Sequence, residues 1–140
     1  KEHSQIKILW TLHDCWAFTG HCAHFSAAKC DRWKSGCGDC PQLKAYPKTY
    51  GADHTQRNYR QKQACFTGLA NLTIIVPSEW LARTVKQSFL KEYPVEVVHN
   101  QIDKSLFKPT PSDFREQYGL DGKTAVSYTH LRAHETDSYL

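Results

Sequence analysis

Residues 72–98 constrain the fold more than any other part of the chain. LTIIV at 72–76 is short, apolar and rich in β-branched residues, as expected of a strand buried within a parallel sheet. Pro77 and Ser78 then open a helix expected to run through Leu90, with Ser78 as its cap and Glu79 placed favourably against the helix dipole. Trp80, Leu81, Val85 and Phe89 fall on one face of it, so the helix packs on a sheet. Pro94 ends that segment, and VEVV at 95–98 forms another strand. Strand, helix and strand in so few residues make a βαβ unit, whose two strands must run parallel.

Residues 5–12, QIKILWTL, supply a further strand, expected to be largely buried. The fold class that follows is α/β, built on a parallel sheet. In such sheets ligands bind beyond the carboxyl ends of the strands. Three segments should reach that edge: His13-Asp14, Pro77-Ser78 and His99-Asn100. Titratable and hydrogen-bonding groups gathered there mark the candidate site, although capping alone accounts for Ser78.

Between the first two strands lies a long irregular stretch, 13–51, holding five of the six cysteines. Connections of that length are usually functional, or held by a cross-link or a metal. Cys22, Cys30, Cys37 and Cys40 are the candidate metal ligands, the last pair in a CGDC knuckle whose Gly38 lets two thiolates point at one ion. Four soft thiolates suit tetrahedral zinc, with iron–sulfur as a weaker option, and His21 or His24 could replace a cysteine. Reduced unligated thiols and disulfides stay open as alternatives. Cys15 and Cys65 are expected to be buried apolar side chains; a nucleophilic pairing of Cys15 with His13 is disfavoured, because loop neighbours rarely meet in that geometry.

A polar helix is expected over 53–69, capped by Asp53 or Thr55, with Tyr59, Lys62, Cys65 and Phe66 at helical spacing. Residues 100–111 look like a connector and 112–118 a short helix, and a strand is expected to begin at 123–125. With 40% apolar and 23% charged residues in 140, the chain suits a globular segment and excludes collagen and coiled-coil classes. No apolar run approaches the roughly 18 residues of a membrane span, and no secretory leader pattern is visible, so a cytoplasmic location is expected. The net charge of +4 comes from scattered basic residues rather than a stripe, which argues against nucleic-acid binding. The absence of any Met suggests a piece of a longer protein.

Four motifs occur in fixed order: WTLHDCWAFTGHC, CGDCPQL followed by YPKTYGAD, VPSEWLARTVKQSFL, and HNQIDKSLFKP. Over about 8–125 the chain resembles the exopolysaccharide, colanic-acid-type branch of the family-four retaining glycosyltransferases. That resemblance implies a GT-B architecture of two facing Rossmann-like halves. Residues 1–99 would be part of the N-terminal, acceptor-side half, with 13–51 as a Cys-rich loop insertion, 100–111 as the interdomain connector and 112–125 as the start of the C-terminal half. It also implies a nucleotide-sugar donor, bound mainly by the missing C-terminal domain, and a saccharide or lipid-linked acceptor, with peripheral contact at the inner face of the membrane. His13 and Asp14 would be catalytic, Ser78 and Asn100 substrate-binding, and any zinc structural. Gln101 stands where the family's connector has Gly. Alone, such a fragment is expected to be inactive. A non-enzymatic zinc-binding interaction module is the alternative function, and a secreted disulfide-rich protein a third. Residues 126–140, with VSYTHLRAHET, resemble a translated sequencing adapter, so His130 and His134 are given no role.

Overall fold

The computed structural model describes residues 5–124. It forms two units, 1–101 and 102–140, of which the second is described to residue 124. The first holds strands β1 (Ile8–Thr11), β2 (Leu72–Val76) and β3 (Val95–Val97), helices α1 (Thr55–Phe66) and α2 (Glu79–Val85), and two short 3-10 turns at Trp16–Phe18 and Arg32–Lys34. The second holds helix α3 (Phe114–Gln117). The segment expected to begin a strand at 123–125 is not a strand at 123 and 124, and Ala125 and the adapter-like tail 126–140 lie outside the described residues.

The sheet has the order β1-β2-β3, parallel throughout, with Ile8 opposite Leu72 and Ile74 opposite Val95. β2 is central, and its alternate side chains Leu72, Ile74 and Val76 are buried. β1 departs from expectation: Leu9 is 71% exposed, and only Trp10 of its four residues is partly covered. An apolar run marks a strand, but burial depends on a neighbour on each side, and β1 is the edge of this sheet.

Ser78 caps α2, its Oγ accepting from Leu81 N–H at 3.3 Å. Leu81 and Val85 bury against the sheet, whereas Trp80 stays 43% exposed at the rim, contrary to the four-residue face expected. The helix also stops short of Leu90. Buried Ser88 donates to Val85 O at 2.7 Å and accepts from Leu90 N–H at 3.1 Å, so its hydroxyl takes over from the helical ladder. α1 starts later and ends earlier than 53–69. Asp53 Oδ1 accepts from Thr55 N–H at 2.7 Å at its start, and Gly68 takes φ +72° just past its end.

The 13–51 insertion has an aromatic centre of its own. Trp33 stacks on Phe25 with centroids 4.5 Å apart and meets Phe18 at 5.6 Å. These rings belong to one buried cluster with Leu72, Ile74, Val85 and Leu90, so insertion and sheet share a core. Cys15 is buried as expected; Cys65 is exposed instead, because it falls on the side of α1 turned away from Tyr59 and Phe66. Lys62 fastens α1 to the insertion, donating to Trp16 O at 2.7 Å and Thr19 O at 3.0 Å with its Nζ 3.4 Å from the Trp16 ring centroid. Burial pushes the Lys62 amine down to about 8, against the pull of the Cys37 and Asp14 charges.

Two outcomes follow. Ile74→Ala empties a fully buried site in the central strand and should cost about 2–5 kcal/mol in urea unfolding, while Leu9→Ala at the exposed edge should leave the midpoint almost unmoved. Equal losses at both positions would refute the assignment of β2 as centre and β1 as edge. For Lys62, the ordinary amine value is 10.5 and the folded one lies near 8. Between these values the unfolded chain binds more protons, so this group adds stability as pH rises through the window and withdraws it as pH falls. NMR of 13C-methylated lysines should show one resonance with a midpoint near 8 that moves upward in urea.

Candidate functional site

Because the three strands run parallel, their carboxyl ends share one edge, and the chain leaves that edge at His13-Asp14, Pro77-Ser78 and His99-Asn100. The register continues past the strands: Leu12 N–H donates to Ile75 O at 2.8 Å and Val98 N–H to Val76 O at 2.9 Å. His13 is exposed and Asp14 half-buried. Asp14 Oδ1 accepts from Trp16 N–H at 2.8 Å, fixing the carboxylate at the start of the first 3-10 turn. Ser78 Oγ is engaged as the α2 cap, which leaves its own O–H to donate outward. Asn100 is exposed, three residues past the end of β3.

His99 is the residue that ties two of these segments together. Its Nδ1 lies 2.8 Å from Pro77 O. A carbonyl only accepts, so Nδ1 donates to it. The sequence placed His99 at this edge but gave it no role; the signal was its position immediately after the third strand.

An open cleft of about 390 Å³ is lined by Trp16, His21, Asn58, Gln61 and Lys62. Trp16 is half-exposed, and Asn58 Nδ2 donates to Gly20 O at 3.2 Å. The exposed part of the indole, with Gln61 on the same cleft, suits a polyhydroxylated ligand, whose C–H groups pack on rings while its hydroxyls take hydrogen bonds. Sequence reasoning missed this cleft, because Trp16 and the α1 residues meet only through the fold. A larger cavity of about 730 Å³ opens between the amino ends of β1 and β2 and Pro94. It holds Lys7 and Glu92 as its charged groups and lies at the edge where parallel sheets do not usually bind ligands.

The four candidate metal ligands also come together. Cys22, Cys30, Cys37 and Cys40 line one small cavity in the insertion, away from the strand ends, and all six cysteines are unbridged. Among the described residues, no group of three or more His, Cys, Asp or Glu side chains stands at metal-holding geometry. Burial pushes the Cys22 thiol up to about 12, and the nearby Cys40, Cys37 and Cys30 add to the effect. No helix among the described residues is long and apolar enough to cross a membrane.

No protein-family model matches the chain, and no solved structure matches it. A stretch of 48 residues, 34% of the chain, is 46% identical to a protein of Escherichia coli (strain K12) named as a colanic acid biosynthesis glycosyl transferase, WcaC. The match covers 11% of that relative's length, so the matched stretch corresponds to a small part of it. The functional class to which the chain is similar is therefore that of the glycosyltransferases.

Proposed function

We propose that this chain is the acceptor-side part of a retaining, family-four glycosyltransferase of GT-B architecture. In this proposal it acts in exopolysaccharide assembly, taking a sugar from a nucleotide-sugar donor to a saccharide or lipid-linked acceptor. The observation that carries the proposal is the 46% identity over 48 residues to a glycosyl transferase of colanic acid biosynthesis. The parallel sheet supports it, since it brings His13, Asp14, Ser78 and Asn100 to one carboxyl edge. The Rossmann-like character of the complete half and its location at the cytoplasmic face of the membrane are parts of the same proposal.

The roles follow from position and chemistry. His13, exposed just past β1, orients the transferring sugar and its phosphate oxygens. Asp14, held by Trp16 N–H, takes acceptor hydroxyls on its free lone pairs. Ser78 donates its remaining O–H, and Asn100 offers both an amide donor and acceptor. The cleft over Trp16 seats the acceptor. Charge on the leaving diphosphate falls to cationic or amide donors outside this chain. Against a self-contained zinc-binding interaction module stands the shared core: Phe18, Phe25 and Trp33 of the insertion are buried with the side chains of β2 and α2.

The test is transfer of labelled sugar from nucleotide-sugar donors to saccharide acceptors by the complete protein containing this chain. His13→Ala should lower kcat/KM by roughly 10- to 100-fold, the scale of losing a hydrogen bond to a charged group. Trp16→Ala should chiefly raise KM for the acceptor. Absence of transfer with every nucleotide-sugar class, or a His13→Ala protein as active as the parent, would overturn the assignment.

A further inference from the structure

The insertion has a second site, whose chemistry does not depend on sugar transfer. Cys22, Cys30, Cys37 and Cys40 face a single cavity of about 20 Å³, with Phe25 and Trp33 among its apolar walls. That volume takes one water or one ion, and it is too small for a multi-iron cluster. The Cys22 thiol is within hydrogen-bond reach of Cys40, and Cys37 and Cys30 are near enough to act on its charge.

Hydrogen bonds hold the cysteine-bearing turns in place. Gly20 N–H donates to Cys37 Sγ at 3.2 Å. That approach needs glycine, since a Cβ at position 20 would lie 2.2 Å from Thr55 O and 2.8 Å from Cys37 Cβ. The turn from Cys37 to Cys40 is held from two sides. Arg32 donates to Gly38 O at 2.6 Å and also to Asp39 O, while Cys40 N–H donates to Asp53 Oδ2 at 2.7 Å. His21 lines the same cavity; its Nδ1 is 3.3 Å from Thr49 Oγ1, yet its buried Nε2 has no hydrogen-bond partner. A buried ring nitrogen left unpaired is costly, and a site that holds one is short of a component.

We infer that this cavity is a structural zinc site in which the thiolates of Cys22, Cys30, Cys37 and Cys40 complete a closed tetrahedral shell. The sulfurs are not yet at that geometry; binding draws them in to Zn–S distances of about 2.3 Å and releases their protons. With Thr49 donating to Nδ1, His21 Nε2–H then donates to a bound thiolate, which pairs the orphaned nitrogen. Four sulfur ligands leave zinc no open position, so the ion orders the loop and takes no part in chemistry.

Elemental analysis of the full chain, purified without chelator from zinc-supplemented cells, should find one zinc per chain. Cys37→Ser/Cys40→Ser should reduce that to background, while Cys65→Ser on the exposed face of α1 should leave it unchanged. Should the double variant fail to fold, cobalt titration of the reduced parent chain decides. The expected result is the intense visible spectrum of tetrahedral four-thiolate cobalt, saturating at one equivalent and abolished by zinc. Four outcomes overturn the assignment: a metal-free chain with no cobalt spectrum, an intact mass showing disulfides, iron with a brown chromophore, or undiminished zinc in the double variant.

Discussion

Everything in the first unit depends on β2 being paired on both sides. Ile74 and Val76 are wholly buried, and their strand fixes the direction of β1 and β3 through a parallel ladder. Parallel pairing is not a local property; it forces α2 to carry the chain back across the sheet before β3 can form. One consequence is that three loops distant in sequence leave the sheet on the same side. The contact of His99 with Pro77 O closes two of them together, so part of the site's geometry follows from strand direction alone.

The insertion adds what the sheet lacks. The 3-10 turn at Trp16–Phe18 follows β1, and Trp16 forms one wall of the cleft. Lys62 and Asn58, one turn apart on α1, bind carbonyls of Trp16, Thr19 and Gly20 and so hold that wall in place. Burial works against the charge on Lys62 and the nearby Cys37 and Asp14 work for it, so this fastening of the loop carries a desolvation cost.

Much of this was legible in the amino-acid sequence. The alternation of LTIIV with a Ser-capped apolar helix and VEVV led to the observed βαβ unit, and the four cysteines singled out by their spacing line one cavity. What failed has physical causes. Strand 8–11 is apolar enough for an interior, but nothing local distinguishes an edge from a centre. The premature end of α2 rests on the Ser88 hydroxyl, which competes with the backbone only once buried. Helical geometry could have placed Cys65 on the outer face of α1, since it lies far around the helix from Tyr59. The cleft over Trp16 had no sequence signal, because its walls come from opposite ends of a long connection.

The Asp53 carboxylate has a consequence for motion. One oxygen accepts from Thr55 N–H at the start of α1 and the other from Cys40 N–H at the tip of the insertion, each at 2.7 Å. Slight desolvation raises its pKa, but these hydrogen bonds outweigh that and hold it below the ordinary carboxylate value. A single side chain thus joins a loop tip to a helix terminus, two places that in most proteins fray separately. Here one carboxylate couples them, so removing it would release the amides of Cys40 and Thr55 together.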